Sequence, residues 1–148
     1  MWRHYRSTIL VFGGGGSEVD LRLALPPEML GSLRAVLSAP EFAIITPFNP
    51  GGAILPEADN VMRLQGLGKE ADVANTPHIE ADGVSPDGTH GERGYAVAIP
   101  RDAALTLAIR YGQSAFFWFD GGAFWLVPAC APGQPQLRSG FDQGPESC

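Results

Sequence analysis

Phe42-Ala43-Ile44-Ile45-Thr46-Pro47-Phe48-Asn49-Pro50-Gly51-Gly52 joins an apolar run to a turn that neither a strand nor a helix continues smoothly. Phe42 to Thr46 reads as a strand with apolar residues pointing both ways, which places it at the centre of a sheet with both faces covered. Pro47 and Pro50 then remove backbone donors, and Gly51-Gly52 supply the freedom of a tight turn. Helical spacing lies on either side. Upstream, Pro26-Pro27-Glu28 opens a helix with Met29, Leu30, Leu33, Val36 and Leu37 at its packing positions, stopped by Pro40. Downstream, residues 56–70 read as a second helix with Val61, Met62, Leu64 and Leu67 apolar.

Further out, the pattern turns to hairpins. Ser7 to Phe12 reads as a strand, Gly13 to Gly16 as a turn, and Ser17 to Leu25 alternates, with Val19, Leu21, Leu23 and Leu25 on one face. The glycine run lacks the Lys-Ser/Thr of a phosphate loop, so it reads as a flexible hairpin turn. Residues 72–92 are polar, with a short strand expected within 73–80 and a loop over 82–91. Tyr95 to Ile99 alternates as a strand. Pro100-Arg101-Asp102 starts a third helix that packs through Ala104, Leu105, Leu107, Ala108 and Ile109. Ala115 to Phe119 and Ala123 to Val127 form a hairpin around Asp120-Gly121-Gly122. The expected order is β-β-α-β-α-β-β-α-β-β: a single α+β domain over residues 1–128, with about three helices on a mostly antiparallel or mixed sheet. A Pro/Gly-rich tail follows over residues 129–148.

Composition narrows the function classes. Of 148 residues, 45% are apolar and 18% charged, enough for a core without staples, and the net charge of −6 opposes nonspecific nucleic-acid binding. The two cysteines, Cys130 and Cys148, make no disulfide framework and fit a reducing compartment. The first residues show no signal peptide, and no run approaches the roughly 20 apolar residues of a membrane helix. The expectation is a cytoplasmic protein with no cofactor.

A second segment matches the first in character. Tyr111-Gly112-Gln113-Ser114-Ala115-Phe116-Phe117-Trp118-Phe119 again joins polar and glycine residues to an apolar strand. Polar groups held in a turn at a strand end are a common way to build a binding site. Asn49 either braces its own turn or offers a donor and an acceptor to a ligand. Asn60 and Arg63 share a helix face, either exposed or aimed at the Asn49 loop, where Arg63 could grip an anion. Gln113 either caps the third helix or bonds across to Asn49. His78, Glu80, His90 and Glu92 have the residue types of a metal site, but loop histidines explain them better and no metal is expected. There is no Gly-x-Ser-x-Gly elbow. The rings of Phe116 to Phe119, Phe124 and Trp125 alternate across a strand pair, so they either fill the core on both faces or leave an apolar surface for a partner.

These residues carry a family resemblance. The chain resembles the DUF3293 family, small bacterial proteins of unknown function. The matching segments are Tyr5-Arg6-Ser7-Thr8, then Thr46-Pro47-Phe48-Asn49-Pro50-Gly51, then Asn60 with Arg63, then Glu92, then Tyr111-Gly112-Gln113-Ser114-Ala115. The resemblance runs from Trp2 to Val127. It departs at Pro47, where the family usually has Ala, and at Arg93-Gly94, where Pro or Ser is typical. It implies a candidate site at Asn49, Asn60, Arg63, Glu92 and Gln113, and no reaction.

Two functions are expected, in order. The first is a non-catalytic accessory or binding protein, a subunit held to a protein partner through Phe117, Phe119, Phe124 and Trp125 and through the C-terminal tail. The second is a small enzyme or ligand-binding domain acting on an anionic or nucleotide-like molecule at the five-residue cluster.

Overall fold

The computed structural model describes residues 7–13, 17–23 and 25–129. Tyr5, Arg6, His4, Gly14 to Gly16, Cys130, Cys148 and all of the tail beyond Ala129 lie outside the described residues.

Among the described residues the chain forms eight strands and three α-helices. The strands are β1 (Ile9–Phe12), β2 (Glu18–Asp20), β3 (Phe42–Ile45), β4 (His78–Val84), β5 (Gly91–Glu92), β6 (Tyr95–Val97), β7 (Ala115–Phe119) and β8 (Phe124–Pro128). The helices are α1 (Met29–Val36), α2 (Glu57–Val73) and α3 (Arg101–Arg110). One sheet holds every strand in the order β2-β1-β4-β6-β3-β7-β8, with β5 also on β4. Every pairing is antiparallel. β5 and β6 keep the same register against β4, Glu92 opposite Gly83 and Tyr95 opposite Glu80, so they are one strand interrupted at Arg93-Gly94. Counted so, the element order is the one expected, and the fold is α+β.

Alternation assigns the two faces. Leu10, Phe12, Phe42, Ile44, Ala96, Phe117, Phe119, Phe124 and Leu126 point to one side and pack with Leu33 and Leu37 from the α1 region. Ala43, Ile45, Phe116 and Val127 point to the other and pack with Leu67 of α2 and Ala104, Leu107 and Ala108 of α3. All four residues of β3 are buried, as its apolar run requires.

The sheet curls toward α1. β1 and β3 are three strand positions apart, about 14 Å in a flat sheet. Yet Phe12 and Phe42 meet edge to face, with ring centroids 6.0 Å apart. The Phe42, Phe119 and Phe124 rings continue the cluster at 5.0–5.9 Å. Curling turns one face into a trough whose interior is filled by aromatics at one end.

Several sequence expectations change. β4 runs through Val84, into the stretch expected to be a loop. Asp82-Gly83 has the composition of a turn, but Gly83 sits in the ladder where the Thr8 methyl would be 3.3 Å from any Cβ there. Leu23, Met62 and Ile109, read as packing residues, are exposed, and β2 ends at Asp20. The inward face of α2 is instead Asn60, Leu64, Leu67, Gly68 and Ala71. Phe117, Phe119 and Phe124 are buried in the trough core, so these rings do not form an exposed partner surface. Trp125 is half-buried on the opposite face, and its indole Nε1 donates to Asp120 Oδ2 at 2.7 Å.

Candidate functional site

The two glycine turns meet. The backbone N–H of Gly51 donates to the Gly112 carbonyl at 2.8 Å, which ties the turn after β3 to the turn before β7. Gly112 has φ +72, and a Cβ there would lie 2.8 Å from Pro50 Cβ, so the close approach depends on its being glycine.

Asn49 sits at this junction in the left-handed region, φ 49 and ψ 62, which Asn tolerates better than most residues. It precedes Pro50, which disfavours the right-handed helical region. Its backbone groups and its side-chain oxygen are engaged locally. The backbone N–H donates to Asn60 Oδ1 at 2.9 Å, and Asn60 Nδ2 donates back to Asn49 Oδ1 at 2.9 Å. The Leu55 N–H donates to the same Oδ1 at 3.0 Å. Asn60 is 3% exposed, so this reciprocal pair is the inner anchor of the loop.

Arg63, one turn further along α2, donates from Nε to the Pro47 carbonyl at 2.6 Å and from Nη2 to the Tyr111 carbonyl. Its guanidinium also lies 5.6 Å from the Tyr111 ring centroid. Of the two roles expected for Gln113, the bond at the end of the third helix is seen and a bond to Asn49 is not. Its backbone N–H donates to the Ala108 carbonyl at the end of α3. Its Nε2 donates to the Phe48 and Tyr111 carbonyls at 3.1 and 3.2 Å, beside Asn49 rather than onto it. Four of the five candidates thus form one corner that fastens two turns to two helices, with Arg63 committed to carbonyls.

Glu92 lies across an open hollow from that corner. The hollow is about 530 Å³, at the unfilled end of the trough. Asn49, Gln113 and Glu92 line it, and Asn60 and Arg63 do not. Thr8, Thr46 and Ser114 contribute hydroxyl-bearing residues, Phe117 an aromatic wall, and Ile54 an apolar rim. Glu92 reaches the concave face because it pairs with Gly83, so its neighbour on β4 projects no side chain in front of it. Beyond it, Gly94 lets β3 approach: a Cβ there would collide with the Ile45 carbonyl oxygen and lie 2.7 Å from Thr46 Cγ2.

The Glu92 carboxyl is the electrostatic anomaly of the hollow. Its Oε2 is buried and has no hydrogen-bond partner among the described residues. Burial pushes the carboxyl up to about 7, since removing water disfavours the charged form and no bond offsets it. The loop next to it is preformed. Asp87 accepts from Ser85 Oγ at 2.7 Å, Thr89 Oγ1 at 2.8 Å and the Thr89 N–H at 3.0 Å, which holds its carboxyl down to about 2.

His78 and Glu80 point to the convex face, away from Glu92, and His78 bonds through Nδ1 with the Thr76 carbonyl. Among the described residues no three His, Cys, Asp or Glu side chains converge as a metal site. No helix among them is long and apolar enough to cross a membrane. Sequence reasoning missed Ile54, Gly83 and Phe117 as lining residues. Gly83 and Phe117 depend on the curl, which brings β1, β4 and β7 around one space, and Ile54 comes from the loop after β3.

Residues 45–116 match DUF3293. Its description is a protein of unknown function. The matched span holds Asn49, Asn60, Arg63, Glu92 and Gln113, so the corner and the buried carboxyl both fall within it. It is shorter than the resemblance read along the sequence, which ran from Trp2 to Val127. Comparisons with curated proteins and with solved structures give no match to this chain.

Proposed function

We propose that the chain is a small-molecule-binding domain whose site is the hollow between the Asn49 corner and Glu92. One observation carries the reading. A carboxyl oxygen is buried without a partner among the described residues, beside a cavity of about 530 Å³. Buried polar atoms are overwhelmingly hydrogen-bonded, so a carboxyl that lines an open space with one oxygen unpartnered is the group there with most to gain from a ligand's donor. The hollow also has the mix that such sites use: an aromatic wall, a few convergent polar groups and a rigid frame.

The anionic ligand expected from the sequence rested on Arg63 and on loop amides; Asn49 and Gln113 line the hollow, but Arg63 is outside the lining and bonded to two carbonyls. An uncharged or positively charged polar molecule suits the carboxyl better. The accessory-subunit alternative drew on the aromatic hairpin and the tail. Three of the four hairpin rings are core residues, and the tail beyond Ala129 lies outside the described residues.

The test is a fragment screen read by amide chemical shifts of the full chain. Fragments that perturb Thr46, Gly83, Glu92 and Gln113 together are the expected result. Hits confined to the convex face, or to the half-buried tryptophans, would overturn the assignment.

A further inference from the structure

We infer that the ligand is a nitrogen base that places N–H donors on the Glu92 carboxyl. This rests on the hollow being a ligand site and adds the chemical class. Among the described residues the lining contains no lysine or arginine. Its titratable members are Glu92 and His90. The other charged groups of these strands, Glu80, Asp82 and Arg93, alternate onto the convex face, where Arg93 Nη2 lies 3.5 Å from Glu80 Oε1. Thr8 before β1, Thr46 after β3 and Gln113 before β7 bring hydroxyls and an amide to the hollow.

A carboxyl in such a place has two stable arrangements. It holds a proton, or it meets a donor pair that replaces lost water. An amidine, guanidine or amino-heterocycle supplies two N–H groups in the plane of the carboxylate. An anion has no such donors to offer. The reciprocal consequence is a proton: binding a cationic base favours ionised Glu92, so the site releases a proton as it fills below the free carboxyl's titration midpoint.

The experiment compares benzamidine, benzamide and benzoate as probes of one shape and different charge. Each is titrated into the full chain between pH 6 and 8, with amide shifts and the Glu92 side-chain carboxyl ¹³C shift as readouts. Benzamidine should perturb Glu92, Gly83 and Thr46, bind about tenfold more tightly at pH 8 than at pH 6, and move the Glu92 midpoint down. Glu92→Gln should retain a native amide spectrum, lose at least about tenfold in benzamidine affinity and lose the pH dependence. Benzoate seated in the hollow with benzamidine excluded overturns the base class and leaves the hollow as a ligand site. Free wild-type protein whose Glu92 titrates at an ordinary glutamate value also overturns the class, because the chain itself then supplies the partner. No shift at any lining amide with any of the three probes overturns both the class and the site.

Discussion

The corner around Asn49 and the hollow around Glu92 share a border and treat polar atoms in opposite ways. In the corner, Asn49, Asn60, Arg63 and Gln113 satisfy one another and the backbone of two turns. In the hollow, a buried carboxyl oxygen has no partner among the described residues. The difference teaches how to separate support from function among side chains of the same chemical type. Saturated polar groups rigidify a frame, and an unsaturated one next to open space points to what the frame holds. Under the binding proposal, the corner is the mount and Glu92 the contact.

The comparison breaks first at Asn60. Replacing Asn60 with Ala removes the acceptor of the Asn49 N–H and one donor to Asn49 Oδ1, both in a buried setting. The expected loss is about 2–4 kcal/mol, with no change in urea m-value. Urea unfolding checks it. A loss under about 1 kcal/mol would mean that water or the loop itself replaces these bonds, and the corner would not be the mount.

Much of the frame was legible before any coordinates. β3 follows from an apolar run ended by proline, and β7 and β8 follow from alternation around Asp120-Gly121-Gly122, whose Asp120 Oδ1 accepts from the Gly122 and Ala123 N–H groups. The meeting of the two turns was foreshadowed by their shared character, but the partners were not. Asn49 could brace or bind, and the position of Asn60 on the inner face of α2 shows the bracing. Leu64 and Leu67 on that face were read correctly, but Met62 was misread onto it because Met62 is apolar and Asn60 is not. Helical spacing marks a buried stripe, and here a polar anchor occupies it while Met62 is 69% exposed. Asn49, Gln113 and Glu92 were named from the sequence and line the hollow, but the rest of its wall was illegible for another reason. It exists because the sheet curls, and curl accumulates from twist over many pairings, which no local window of sequence contains.

The second prediction sharpens the contrast through pH. Glu92 has a folded-state value raised to about 7 from an ordinary 4.5. Below about pH 4.5 both folded and unfolded forms are protonated and the fold carries no penalty from this group. As pH rises from there to about 7, the unfolded chain ionises while the folded chain resists, so stability falls, and it levels off above. With water at the open mouth screening the carboxylate, the drop is about 1–2 kcal/mol. Glu92→Gln abolishes that component. Subtracting the variant's urea-derived stability from the wild type's at each pH isolates it. A difference that stays flat between pH 4.5 and 7 means the carboxyl is already satisfied and the two regions are alike.

The smallest expected effect falls on Ile54, at the rim where the two regions touch. It is 89% exposed, yet its neighbours are pinned on both sides: the Ala53 N–H donates to the Pro50 carbonyl at 3.1 Å, and the Leu55 N–H to Asn49 Oδ1 at 3.0 Å. A loose loop therefore does not explain its exposure. The corner presents an aliphatic side chain to the mouth of the hollow, where a ligand would cover it. Ile54→Ser should change stability by no more than about 0.5 kcal/mol, because almost none of the side chain is buried. It should weaken benzamidine binding by about two- to fivefold, the worth of part of an isoleucine removed from water. Stability lost with affinity unchanged would assign Ile54 to the mount. Affinity lost with stability unchanged assigns it to the contact, and extends the ligand's footprint from the Glu92 wall to the opposite rim.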